Sequence, residues 1–136
     1  MRTISHHAAL VYVMVVVSAA DGAMSDKELR AIGDLTRSLP VFKDFDRDRL
    51  VVLAQDCSAI LQEEDGLAAV LGLVKDALPE PLRETAYWLA LEVALTDSHI
   101  KLEEVRIIKT LRRTLGIDRL VAAALERGAR ARFQVA

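Results

Sequence analysis

Ala8-Ala9-Leu10-Val11-Tyr12-Val13-Met14-Val15-Val16-Val17-Ser18-Ala19-Ala20 is a run of thirteen residues in which Ser18 is the one conventional polar side chain. Four structures compete for it. A membrane span needs about 18–20 apolar residues, so length excludes the first. A signal peptide fits better, with Arg2 as the charged start, residues 10–17 as the apolar middle and Ser18-Ala19-Ala20 as a small-residue cleavage site. The three consecutive valines suit a buried strand as well as a buried helix. Local pattern alone does not choose among the last three.

An internal repeat does. An offset of 76 carries Asp21 to Asp97, Glu28 to Glu104, Arg30 to Arg106, Ile32 to Ile108, Leu35 to Leu111 and Leu39 to Leu115. Upstream it carries Tyr12 to Trp88, Val13 to Leu89 and Val17 to Val93. The period is too long for a solenoid and occurs twice only, so it reads as a duplicated helix–loop–helix unit at about residues 8–39 and 84–115. The second copy, residues 82–95, is rich in Ala, Leu and Glu and is plainly helical. Its partner is therefore helical too, despite the valines, and a cleaved leader would destroy half of the pair. The run is expected to be a central helix buried on all sides.

Outward from it, seven helices are expected in one all-α bundle, a single domain of residues 1–136 with two pseudosymmetric halves. Helix one spans about 6–20. Helix two follows Ser25, whose spacing to Glu28 makes a capping box, and presents Leu29, Ile32, Leu35 and Leu39 on one face. Pro40 ends it, and residues 43–49 form a charged connection. Helix three buries Leu50, Leu53, Ala54, Cys57, Ile60 and Leu61; after the break at residues 63–66, helix four carries Leu67, Val70, Leu71, Val74 and Leu78. Pro79-Glu80-Pro81 stops it, and Pro81 suits the first turn of helix five. Helix six presents Leu102, Val105, Ile108, Leu111 and Leu115, closes at Gly116, and helix seven runs from about 117 to 128.

Composition agrees. The chain has 136 residues, 52% hydrophobic and 28% charged, enough to bury a core. Only 4% are aromatic, so Ala, Val, Leu and Ile must build that core. Lysine and arginine total 18 against 20 acids, a net charge of −2, which lacks the basic excess of a general nucleic-acid binder. The single cysteine, Cys57, fits a reducing compartment and, on the apolar face of helix three, reads as packing. His6 and His7 read as solvated residues at a frayed helix start. Glycine-rich phosphate loops, the di-iron carboxylate pattern and the His-Glu-x-x-His zinc signature are all missing, so no enzyme is expected.

The chemistry-bearing pattern is acidic. Each repeat places an aspartate in the turn and a glutamate seven residues on: Asp21 with Glu28, Asp97 with Glu104. That glutamate falls in the first turn of the next helix, where its carboxylate can fold back toward the loop. Two hard oxygen donors with loop carbonyls suit calcium or magnesium, and Asp26 and Glu103 add neighbouring carboxylates. Capping and the helix macrodipole place acids at the same positions. Lys101 stands where Ser25 stands, so the second copy is expected to lack the capping box while keeping both acids. Metal site and helix cap stay open side by side. An EF-hand is excluded, because its glycine at position six and glutamate at position twelve do not fit.

The stretch Val17-Ser18-Ala19-Ala20-Asp21-Gly22-Ala23-Met24-Ser25-Asp26-Lys27-Glu28 resembles the TerB family of tellurite-resistance proteins, and Ala94-Leu95-Thr96-Asp97 through Glu103-Glu104 resembles that family's second acidic motif. The likeness spans about residues 8–128. It implies an all-helical fold of two pseudosymmetric halves and a part in resistance to tellurite and other stresses. It also implies acids that bind metal, here Asp21, Glu28, Asp97 and Glu104, and assemblies with partner proteins in the cytoplasm at the inner membrane face. The helical module of the DjlA co-chaperones is similar too, although the sequence carries no J domain. One departure stands out. The second loop reads Asp97-Ser98-His99 where the family often has glycine after the aspartate, and Ser98 is sterically costly at positive φ. His99 offers a nitrogen ligand or a solvated loop residue.

From residue 112 to 132 there are six arginines against Asp118 and Glu126. Arg127, Arg130 and Arg132 at the end of helix seven suit the helix C-terminus, or a weak, reversible contact with anionic lipid or an acidic partner. The alternative to a metal-binding module is a pure interaction scaffold whose acids only cap helices.

Overall fold

The computed structural model describes residues 2–20, 22, 24–96 and 100–136. Seven α-helices follow in order: α1 (His6–Ser18), α2 (Asp26–Ser38), α3 (Leu50–Leu61), α4 (Gly66–Ala77), α5 (Glu80–Leu95), α6 (Leu102–Leu115) and α7 (Arg119–Phe133). No strand occurs among the described residues. Two short 3-10 turns, Pro40–Phe42 and Arg47–Arg49, fill the charged connection before α3.

The apolar run is α1, and every residue from Ala8 to Ser18 in it is buried. Ser5 caps it, its hydroxyl accepting from the Ala8 N–H at 3.0 Å. The one polar residue inside, Ser18, donates its hydroxyl to the Met14 carbonyl at 2.9 Å and so enters the core satisfied. Valine's small helix-propensity penalty is outweighed because each buried valine contributes about 1.5–3 kcal/mol. The partners that bury it are α5 above all, then α3 and α4, with α6 behind them. A single cluster of buried apolar residues runs through all seven helices. Among the described residues, no helix is long and apolar enough to cross a membrane.

Positions related by the offset of 76 share their burial in most cases. Val13 and Leu89, Val17 and Val93, Ile32 and Ile108, Leu35 and Leu111 all lie in the core, and Arg30 and Arg106 are exposed. Tyr12 and Trp88 differ: Tyr12 is buried, Trp88 half-buried.

Four expectations need correction. Leu29 is 49% exposed and Leu102 61% exposed, so neither joins the apolar face assigned to its helix. The buried face of α2 is instead Glu28, Ile32, Leu35 and Thr36, and that of α6 is Glu104, Ile108, Leu111 and Leu115. Each helix is rolled so that a carboxylate, not the flanking leucine, faces inward. Gly128 does not end α7, which continues to Phe133 because Ala129 is buried and Arg132 reaches Glu92 on α5. His7 is not frayed: its Nε2 lies 2.8 Å from the Val41 carbonyl, and its ring stacks on Phe42.

Two turns show why glycine stands where it does. Gly116 ends α6 at φ +66°, with its own N–H bonded to the Arg113 carbonyl and the Ile117 N–H to the Arg112 carbonyl. That pair of bonds is the Schellman closure, and buried Ile117 supplies its apolar contact. Gly66 starts α4 so close to the end of α3 that a Cβ would lie 2.2 Å from the Ile60 carbonyl oxygen.

Candidate functional site

The two acidic loops lead into α2 and α6, and their glutamates are built alike. Glu28 is 3% exposed and accepts a hydrogen bond from the Ser25 backbone N–H at 2.9 Å through Oε1. The Ser25 hydroxyl returns the bond, accepting from the Glu28 N–H at 3.1 Å. The capping box expected at the first copy is therefore complete. Glu104 is 4% exposed and accepts from the Lys101 backbone N–H at 3.0 Å through its own Oε1. The second copy thus keeps the glutamate half of the box, although lysine offers no side-chain acceptor to return it. Capping accounts for more of Glu104 than the sequence suggested.

Both carboxylates sit where the positive end of a helix dipole favours an anion. Asp26 and Glu103, also in the first turns, are exposed. Asp21 and Asp97, the loop acids of the sequence pattern, lie outside the described residues, as do Ser98 and His99. Among the described residues no group of three or more His, Cys, Asp or Glu side chains is placed to hold a metal ion. The surroundings of the first loop are visible: Gly22 and Met24 line a cavity of about 420 Å³ together with Ile107, one turn into α6 from Glu104.

Cys57 is fully buried, and its thiol is directed to the Tyr12 carbonyl at 3.9 Å. Burial pushes the thiol up to about 12. At neutral pH it is neither a nucleophile nor a thiolate ligand.

The carboxylate that sequence reading missed is Glu92. It is buried on α5, where it accepts from the Nε of Arg132 on α7. No spacing rule links residues forty positions apart, so only the packing of α5 against α7 joins them. One of the three tail arginines is accordingly engaged, its Nε on a buried carboxylate while its side chain stays 56% exposed. Arg127 and Arg130 remain exposed.

A family model described as tellurite resistance protein TerB matches residues 7–126 of the chain. Comparison with curated proteins and with solved structures gives no match.

Proposed function

The chain belongs to the TerB family of tellurite-resistance proteins, and on that premise we propose that it is a non-enzymatic stress-response module whose two acidic loops bind a divalent cation, calcium or magnesium. Asp21 with Glu28 and Asp97 with Glu104 supply the hard oxygen donors, and Asp26 and Glu103 lie beside them. Residues 1–136 act as one domain in which residues 8–39 and 84–115 are equivalent, pseudosymmetric units. The observation that carries this reading is the matched placement of Glu28 and Glu104. Each is buried at the first turn of its helix, with one carboxylate oxygen held by a backbone N–H. Such an anchored carboxylate meets a cation with little ordering entropy left to lose. The shared cavity of Gly22, Met24 and Ile107 also sets the first loop against the helix that the second loop begins.

In the cell the module works in the cytoplasm with partner proteins of a stress-response assembly, at the inner face of the membrane. Arg127 and Arg130 supply a weak contact with anionic lipid, about 1 kcal/mol for each charge near the surface. Nucleic acid is not a partner.

Calorimetric titration with calcium, magnesium, manganese and zinc tests the cation. Saturable heat that disappears in Asp21→Asn/Asp97→Asn supports the site. Absence of heat and of any thermal shift at millimolar ion overturns it. A second reading draws on the same hydrogen bonds: a scaffold in which Glu28 and Glu104 only cap α2 and α6. It requires Glu104→Gln to lower stability modestly and to leave every ion response unchanged.

A further inference from the structure

A groove of about 560 Å³ opens between α5, α6 and α7, a volume within the range of about 300–1,000 Å³ usual for small-ligand pockets. Its floor is apolar, formed by Leu91 and Leu95 of α5, Val105 and Ile108 of α6 and Ala129 of α7, with Ile100, 41% exposed, at the mouth. Four cations stand around that floor: Lys109, Arg112, Arg113 and Arg130. None of their side chains makes an ion pair or hydrogen bond among the described residues. Among the described residues the one acid in the lining is Glu126, whose Oε2 accepts from the Tyr87 hydroxyl at 2.8 Å.

Four cations outnumber the one carboxylate among the described lining residues, over a floor in which Leu91, Ile108 and Ala129 are buried and Leu95, Val105 and Ile100 are partly open. Leu95, Val105 and Ile100 offer a short stretch of apolar surface, and the rim needs negative charge. We propose that this groove binds a small amphiphilic anion, an aliphatic carboxylate of the free fatty-acid class, with its chain along Leu95, Val105 and Ile100 and its carboxylate among Arg112, Arg113 and Arg130. The extent of the floor selects a small molecule over a peptide. Leu91 to Leu95 spans about 6 Å of α5, one turn, whereas a docked amphipathic helix needs anchors over at least two. Arginine suits the head group, because its planar fork matches a carboxylate in two bonds. Its mouth adjoins the second capped glutamate, Ile100 and Val105 standing on either side of Lys101 and Glu104 in the sequence, so the test is run without added divalent cation.

Titration of the intact protein with sodium decanoate, followed by calorimetry and by amide chemical shifts, tests the proposal. One saturable site is expected, with shifts confined to α5, α6 and α7. Arg112→Glu/Arg130→Glu, verified as folded by circular dichroism, is expected to bind about tenfold more weakly or worse. Arg127→Glu changes a cation of the same helix outside the groove and is expected to bind as the parent does. Decyltrimethylammonium, with the same chain and the opposite charge, is expected not to bind. The proposal is overturned by an absence of saturable binding, by equal binding of decyltrimethylammonium, or by an equal loss in Arg127→Glu. Binding only to vesicles containing anionic phospholipid, or only to an acidic amphipathic peptide, also overturns it and reassigns the face to a membrane or a protein.

Discussion

The pair α1–α2 and the pair α5–α6 start from matched sequence and end in different surroundings. In both, the second helix buries a glutamate at its first turn and then an isoleucine and a leucine on the same face. In both, the glutamate holds the backbone N–H three residues before it. The first helices diverge. α1 is buried along its whole interior, whereas α5 carries Glu92 at the position equivalent to Val16 and leaves Trp88 half-buried where Tyr12 is covered. The reason is the neighbour. α1 lies against α3, α4 and α5, while α5 must also receive α7, whose Arg132 pairs with Glu92 and whose Gly128 lies by the Trp88 ring. Equivalent sequence therefore fixes the register of a helix face, and the element packed on top decides what chemistry that face carries.

The largest effects should come where the two pairs agree. Leu89→Ala in α5 is expected to cost about 2–5 kcal/mol in chemical denaturation, since Leu89 is fully buried in close-packed surroundings. Val17→Ala and Val93→Ala, at matched and equally buried positions, should each cost about 2 kcal/mol. A difference much above 1 kcal/mol between those two would break the equivalence of the pairs.

Next comes the position where they differ. Arg132→Ala should cost about 1–2 kcal/mol, because it strips a buried carboxylate of its partner. Adding Glu92→Val, which installs the residue that α1 carries there, should recover most of that loss in a double-mutant cycle, since it removes the buried carboxylate that Arg132→Ala leaves without its partner. If the double variant stays as unstable as Arg132→Ala, the contact with α7 depends on the charge itself.

Smaller still is the cap. Ser25→Ala should cost about 1 kcal/mol by thermal melting, and a loss of only a few tenths would mean that the start of α2 does not depend on the hydroxyl.

Much of this fold was legible in the residues. The apolar run, the offset of 76, Pro40, the Pro79-Glu80-Pro81 stop and Gly116 placed seven helices within a few residues of their observed bounds, the end of α7 excepted. Turn and cap chemistry is local, so it survives without tertiary context. The pattern also singled out Glu28 and Glu104, as helix caps or metal ligands, and the Ser25–Glu28 box was legible in it; the burial of both carboxylates and the bond of Glu104 to the Lys101 N–H required the structure. Leu29 and Leu102 were misplaced for the same reason. A helix face read from hydrophobic spacing is uncertain by one residue, or about 100°, and only the neighbouring helices settle the roll.

What the sequence determined by itself was the helical identity of the valine-rich run, because a repeat compares two stretches and outweighs the propensity of either. It also determined the family, because the acidic motifs are contiguous. The tertiary structure alone decided which side of each helix faces inward, the union of Glu92 with Arg132 and the cation-rimmed groove between α5, α6 and α7. Those depend on residues brought together from distant parts of the chain, and no spacing along one helix encodes the angle at which another helix crosses it.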